Sequence, residues 1–213
     1  HYSRLKRIYD NSPVVSYPGL PATTPAAQPK PYFFDGSVVA HQDSATGTVW
    51  IYATQRRGGR MLYAFDVSSP ASPSLKWRKG CPNLTNDTGC TSADFTGIGQ
   101  TWSAPKVLKA SGYASGNAPL LVMGGGYDTC EDAEPNTCTS PKGNKVYVLD
   151  ANDGTLLITL NTERSVVADI TVVRDSSGLA QYAYAVDTGG NIYRIAIGSA
   201  VPASWTITKI AAL

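Results

Sequence analysis

Four cysteines carry the plainest chemistry in this 213-residue chain, and they fall in two local pairs, Cys81 with Cys90 and Cys130 with Cys138. A polar, turn-rich loop separates the members of each pair. That spacing suits two short disulfide loops, and with them an oxidising compartment: periplasm, cell surface or outside the cell. Zinc and free thiols are the competing readings. Neither pair is C-x2-C or C-x4-C, however, and the two histidines, His1 and His41, lie far away in sequence. An acidic cluster, Asp128, Glu131, Asp132 and Glu134, accompanies the second cysteine pair. Four carboxylates gathered by a short disulfide could hold a hard cation such as Ca2+. The D-x-D-x-D-G spacing is missing, and a solvated loop is the plainer alternative.

Other candidate motifs are weaker. Gly97-Ile98-Gly99 and Gly124-Gly125-Gly126 lack the Gly-Lys-Ser/Thr ending of a phosphate loop, so they read as tight turns and close packing. No G-x-S-x-G elbow is present, and histidine bases are nearly lacking, which disfavours nucleophilic catalysis. His41 reads as a surface residue just past a strand end. The basic run Gln55-Arg56-Arg57-Gly58-Gly59-Arg60 reads as a solvated hairpin tip that could meet an acidic protein or polysaccharide.

The elements that must position these residues are β-strands. Charged residues make up 16% of the chain, well below the roughly 25% of an average domain, and about one residue in six is Gly or Pro. Long charged amphipathic helices are disfavoured. The 42% hydrophobic content supports a globular core, the formal charge of +2 gives no broad pull on nucleic acid, and no run of 18 apolar residues spans a bilayer. The absence of an N-terminal Met or signal peptide suggests a processed product or an excised piece. Residues 1–31, with Pro13, Pro18, Pro21, Pro25 and Pro29, read as a Pro-rich linker or the remnant of a preceding blade.

From Tyr32 onward one phrase recurs three times: an apolar strand, a glycine-containing connection, then a strand with an aromatic residue near its centre. The copies pair Val49–Ala53 with Met61–Asp66, Leu120–Gly124 with Lys145–Asp150, and Tyr182–Asp187 with Asn191–Ala196. Each has a flanking strand on either side, and Asn152-Asp153-Gly154-Thr155 reads as a tight hairpin turn. Tyr63, Tyr147 and Tyr193 mark equivalent places, 84 and then 46 residues apart, the longer interval holding both cysteine loops. Four antiparallel strands per repeat is a β-propeller blade. The predicted fold is therefore all-β: residues 32–213 form a partial β-propeller with blades at about 32–80, 100–163 and 166–211, an arc of about three four-stranded blades of a larger ring.

The runs Tyr32-Phe33-Phe34-Asp35-Gly36-Ser37, Arg60-Met61-Leu62-Tyr63-Ala64-Phe65-Asp66, Gln100-Thr101-Trp102-Ser103-Ala104-Pro105, Gly124-Gly125-Gly126-Tyr127-Asp128 and Asp187-Thr188-Gly189-Gly190-Asn191-Ile192-Tyr193-Arg194, in this order, resemble the C-terminal β-propeller of the PilY1/PilC family. The resemblance implies a non-enzymatic protein of the type IV pilus tip, exported through the periplasm to the cell surface. Its implied partners are minor pilins and the pilus tip complex, with host or abiotic surfaces as attachment targets. The family often carries a calcium loop just before the strand matching Tyr182–Val186. Here the stretch Arg174–Gln181 offers one carboxylate, Asp175, too few for useful Ca2+ affinity. Two other readings compete. A quinoprotein (PQQ) dehydrogenase propeller shares the phrase from Tyr147 to Gly154 but needs a complete ring with an acidic calcium and cofactor site. An assembly scaffold is the third.

Overall fold

The computed structural model describes residues 32–132, 135 and 138–213, so the Pro-rich stretch 1–31 and Glu134 lie outside the described residues. Among the described residues twelve strands form three four-stranded antiparallel sheets, each in simple up-and-down order. The first sheet contains β1 (Val38–Asp43), β2 (Thr48–Thr54), β3 (Arg60–Asp66) and β4 (Ser74–Cys81). The second contains β5 (Lys106–Leu108), β6 (Leu120–Gly124), β7 (Lys145–Asp150) and β8 (Leu156–Asn161). The third contains β9 (Thr171–Arg174), β10 (Ala180–Val186), β11 (Asn191–Ala196) and β12 (Thr206–Ala212). The first strands lie side by side, β1 beside β5 and β5 beside β9, as the inner strands of successive blades do.

Burial explains the sequence texture. The middle blade is covered on both faces, so β6 is an unbroken apolar run, Leu120-Leu121-Val122-Met123-Gly124, buried throughout. Its residues separate by parity: Leu121, Met123, Tyr147 and Leu149 join a core with Tyr52, Leu62, Ala64 and Trp77 of the first blade. Leu120, Val122, Val146 and Val148 join a second core with Ala183, Ala185, Tyr193 and Ile195 of the third. β10 and β11, covered on one face, alternate instead. The Tyr52 hydroxyl and the Trp77 indole N–H tie the first two blades further, both donating to the Ala151 carbonyl, at 3.0 and 3.3 Å.

Tyr63, Tyr147 and Tyr193 do occupy the third strand of their blades, all on the face turned toward the preceding blade position. Tyr147 and Tyr193 are buried there, whereas Tyr63 is half-buried against Phe34, ring centroids 5.0 Å apart. The buried Tyr147 hydroxyl has no hydrogen-bond partner among the described residues, and its ring stacks on Phe95 at 5.6 Å. A buried polar group left unpaired costs about 1–3 kcal/mol. Tyr147→Phe is accordingly expected to preserve stability or raise it by about 1 kcal/mol, readable as a shift in a urea unfolding midpoint.

Two local readings change. The turn between β7 and β8 spans five residues, 151–155, rather than two; Gly154 alone takes positive φ, +72°, and its N–H closes the loop on the Asp150 carbonyl at 3.0 Å. His41 lies inside β1, paired with Trp50 across the ladder, not beyond a strand end. The apolar run that seemed to stop at Ala40 continues as an alternating edge strand, whose polar residues belong to the pattern.

Candidate functional site

Each blade sends its connection between second and third strands, and its link to the next blade, to one end of the strands. This loop face carries both cysteine pairs, Asp128, Glu131 and Asp132, and the basic run. Backbone hydrogen bonds bind the connections of all three blades together. Arg56 N–H donates to the Thr101 carbonyl and Thr101 N–H returns to Gly59, both at 3.1 Å. Gly99 N–H donates to Gly125 at 2.8 Å, Gly143 N–H to Gly97 at 2.7 Å, Gly126 N–H to Val166 at 3.0 Å, and Thr188 N–H to Ser165 at 2.9 Å. The glycine run therefore serves close backbone approach. A Cβ on Gly126, where φ is +97°, would stand 2.1 Å from the Gln100 carbonyl oxygen.

The cysteines pair as Cys81–Cys90 and Cys130–Cys138. Non-reducing peptide mapping should recover these two links, with no crossed pair. The first loop is organised from beneath by Arg60, the last residue of the basic run, which is 1% exposed. Its guanidinium donates to the carbonyls of Ile98 at 2.7 Å, Asn83 at 3.1 Å, Asn86 at 2.8 Å and Thr96 at 2.9 Å, and to Asp87 Oδ1 at 2.8 Å. The basic run is thus not a solvated tip. Its third arginine is a buried hub whose five partners lie 23 to 38 residues away, beyond the reach of local pattern reading.

Asp87 also receives Lys142 Nζ at 3.0 Å, which joins the first cysteine loop to the second blade's long connection. That connection then reaches the third blade. Arg164 Nη1 donates to the Cys138 carbonyl at 2.7 Å, and Glu131 Oε1 accepts from Ser165 Oγ at 3.3 Å and Thr188 Oγ1 at 3.1 Å. The result is a polar belt across three blades.

The three described residues of the acidic set take separate partners. Asp128 accepts from the Cys130 and Lys142 backbone N–H groups at 3.0 and 2.7 Å, Glu131 points to the third blade, and Asp132 accepts from the Tyr127 hydroxyl. Among the described residues they form no cluster whose ligand atoms converge; the one such group, Cys81, Asp87 and Cys90, has both sulfurs in a disulfide. Burial and the bond to Asp132 push the Tyr127 phenol up to about 12, with Asp132, Glu131 and Asp128 adding to it. Asp175 closes its own hairpin, accepting from the N–H groups of Ser177 and Leu179 at 2.9 and 3.0 Å and from Gln181 Nε2 at 2.9 Å.

Hydrogen bonds from Arg60 and then Lys142 hold the Asp87 carboxyl below its usual range. At Asp187 burial pushes upward, but hydrogen bonds from Asn191, Tyr193 and the Arg164 backbone outweigh it and hold that carboxyl low too. A carboxylate with a depressed folded pKa contributes stability above its unfolded pKa of about 4 and loses it as pH falls through the folded value. The belt should therefore loosen below about pH 4. Hydrogen exchange over residues 82–96 and 186–191 should accelerate there before the β6 and β7 amides do; exchange rising uniformly would contradict this.

Above the belt sits a half-exposed platform. Arg56 and Arg57 lie over the Trp102 ring at 4.3 and 5.2 Å, Arg57 also lies over Tyr32 at 5.3 Å, and Trp102 meets Tyr127 edge to face at 6.4 Å. Trp102 is fixed in turn by its indole N–H, which donates to Gln100 Oε1 at 3.1 Å. The platform combines two cations, three aromatic rings and the adjoining carboxylates of Glu131 and Asp132. Sequence reading noted the arginines but not Trp102 as their seat; the aromatic that begins Trp102-Ser103-Ala104-Pro105 was the available signal.

Comparison with known proteins gives a consistent picture. The family model described as the PilY1 β-propeller domain matches residues 25–204. The chain is 31% identical over 172 residues to the type IV pilus biogenesis factor PilY1 of Pseudomonas aeruginosa (strain UCBPP-PA14), covering 76% of this chain and 13% of that protein. It is 30% identical over 132 residues to the PilY1 homolog of Xylella fastidiosa (strain Temecula1 / ATCC 700964), covering 61% of this chain and 10% of that one. The crystal structure of the Pseudomonas aeruginosa PilY1 C-terminal domain superposes with a TM-score of 0.58 at 24% identity, over 82% of this chain and 35% of that one. The chain thus spans about a tenth of the length of these curated relatives.

Proposed function

The chain belongs to the PilY1 β-propeller family, and from that premise we propose that its loop face is a protein-binding surface used in type IV pilus biogenesis. Both curated relatives are named type IV pilus biogenesis factors. The observation that carries the reading is the arginine–aromatic platform on a surface whose backbone is tied across three blades. Arg, Trp and Tyr are the residue types that dominate binding energy at protein interfaces, and a rigid support lowers the entropic cost of engaging them. The partners proposed are minor pilins of the pilus tip complex, met in the periplasm and carried to the cell surface. Acidic patches on those subunits would meet Arg56 and Arg57. Attachment to host or abiotic surfaces is the further role the same platform would serve, and no catalytic step is assigned to it.

Binding of purified minor pilins to the immobilised chain tests the reading. Arg57→Glu combined with Trp102→Ala is expected to weaken binding at least tenfold, as loss of an interface hot spot does, with the urea midpoint close to the parent's. Equal binding by the double variant would overturn it.

A further inference from the structure

A second site lies at the opposite end of the strands, where the inner strands β1, β5 and β9 finish side by side. There a cavity of about 310 Å³ is lined by His41, Asp43, Leu108, Lys109, Arg174 and Gly178, among others. This volume matches the lower range of small-molecule pockets. Each blade contributes one ionisable strand-end position: His41 with Asp43, Lys109, and Arg174. The lining holds two permanent cations against one carboxylate.

The lone carboxylate is partly occupied, since Asp43 Oδ1 accepts the Ala45 N–H at 2.9 Å across its own turn. Arg174 is anchored by one nitrogen, Nη2 donating to the Val107 carbonyl at 2.9 Å, which leaves the rest of its fork free to donate. Lys109 Nζ makes no hydrogen bond or ion pair among the described residues. Burial, then the positive charge of Lys109, lower the His41 pKa, with Asp43 opposing, which favours the neutral imidazole.

We propose that this inner-strand pocket binds a small oxyanion, a phosphate or carboxylate group, between Lys109 and Arg174. The two side chains come from different blades, so the anion would bridge the second and third blades at the inner rim. Arg offers a planar fork and Lys a point charge, a pairing that suits tetrahedral or planar oxyanions. This site is independent of the loop face and does not rest on the pilin-binding reading.

Isothermal titration of the purified chain with inorganic phosphate, at constant ionic strength set by sodium chloride, tests the proposal. Saturable one-to-one binding is expected, weakened about tenfold or more by Lys109→Met, as removal of a charge-assisted contact does. Succinate titrated in parallel separates carboxylate from phosphate preference. Lys109 Nζ makes no hydrogen bond or ion pair among the described residues, and its backbone carbonyl keeps the Ala180 N–H at 2.8 Å in the variant, so the unfolding midpoint should stay near the parent's. Lys209→Met, which removes a cation paired with Glu163 elsewhere, should bind like the parent. Absence of saturable binding to either probe, or equal affinity of the Lys109→Met and parent proteins, would overturn the assignment.

Discussion

Replacing Arg60 with methionine should destabilise the chain by about 3–5 kcal/mol, as breaking a buried, fully hydrogen-bonded charge does. Methionine matches the aliphatic stem closely, so lost packing contributes little. What changes is the loss of donors to four backbone carbonyls, at Ile98, Asn83, Asn86 and Thr96, and to Asp87. Those carbonyls belong to the first cysteine loop and to the link into the second blade. The loop should lose its order first, while the Cys81–Cys90 disulfide keeps its ends together. Urea unfolding gives the magnitude, and limited proteolysis within residues 82–97 gives the location. Arg60→Lys should recover only part of the loss, because one ammonium cannot replace a fork reaching five acceptors. A loss under about 1 kcal/mol in Arg60→Met would mean that the hub is not a structural centre.

The second large effect is expected at Gly126. An alanine there meets two independent obstacles: φ of +97°, which an L side chain rarely adopts, and a Cβ placed 2.1 Å from the Gln100 carbonyl oxygen. The left-handed penalty is about 1–2 kcal/mol and local overpacking about 1–3 kcal/mol, so a loss on the order of 3 kcal/mol is expected. Relief by backbone movement would break the Gly126-to-Val166 hydrogen bond and part the second blade from the third. Gly47 is the contrasting control: its φ is +71°, but nothing lies within 4 Å of its Cβ position, so alanine there bears only the backbone cost. Similar unfolding midpoints for the two variants would contradict the close-approach argument.

Much of this architecture was legible because blade burial prints itself on sequence. β10 alternates since one face is covered, and β6 is apolar throughout since both are. The three four-stranded sheets, the third-strand tyrosines and the reading of Gly124-Gly125-Gly126 as close packing follow from periodicity and from the chemistry of glycine. The site was less legible. Arg60 looked like a member of an exposed basic run because nothing within five residues records that carbonyls from residues 83–98 would converge on it. Asp128, Glu131 and Asp132, grouped in sequence with Glu134, take separate partners that sequence proximity does not reveal: one carboxylate turns to its own loop, one to the third blade and one to Tyr127. The oxyanion pocket had no sequence signature: His41, Lys109 and Arg174 are spread over three blades, and only strand registration assembles them.

The belt, the glycine contacts and Arg60 share one consequence, which is to hold the platform of Arg56, Arg57, Trp102 and Tyr127 still. The role proposed for this loop face is in pilus biogenesis. It is tested most directly by counting surface pili on cells that lack the parent gene and are complemented with the full-length protein carrying Arg57→Glu and Trp102→Ala. Piliation is expected to return with the unaltered protein and to be little or none with the double variant at equal protein abundance. Normal piliation with the double variant, or in the uncomplemented deletion, would contradict it.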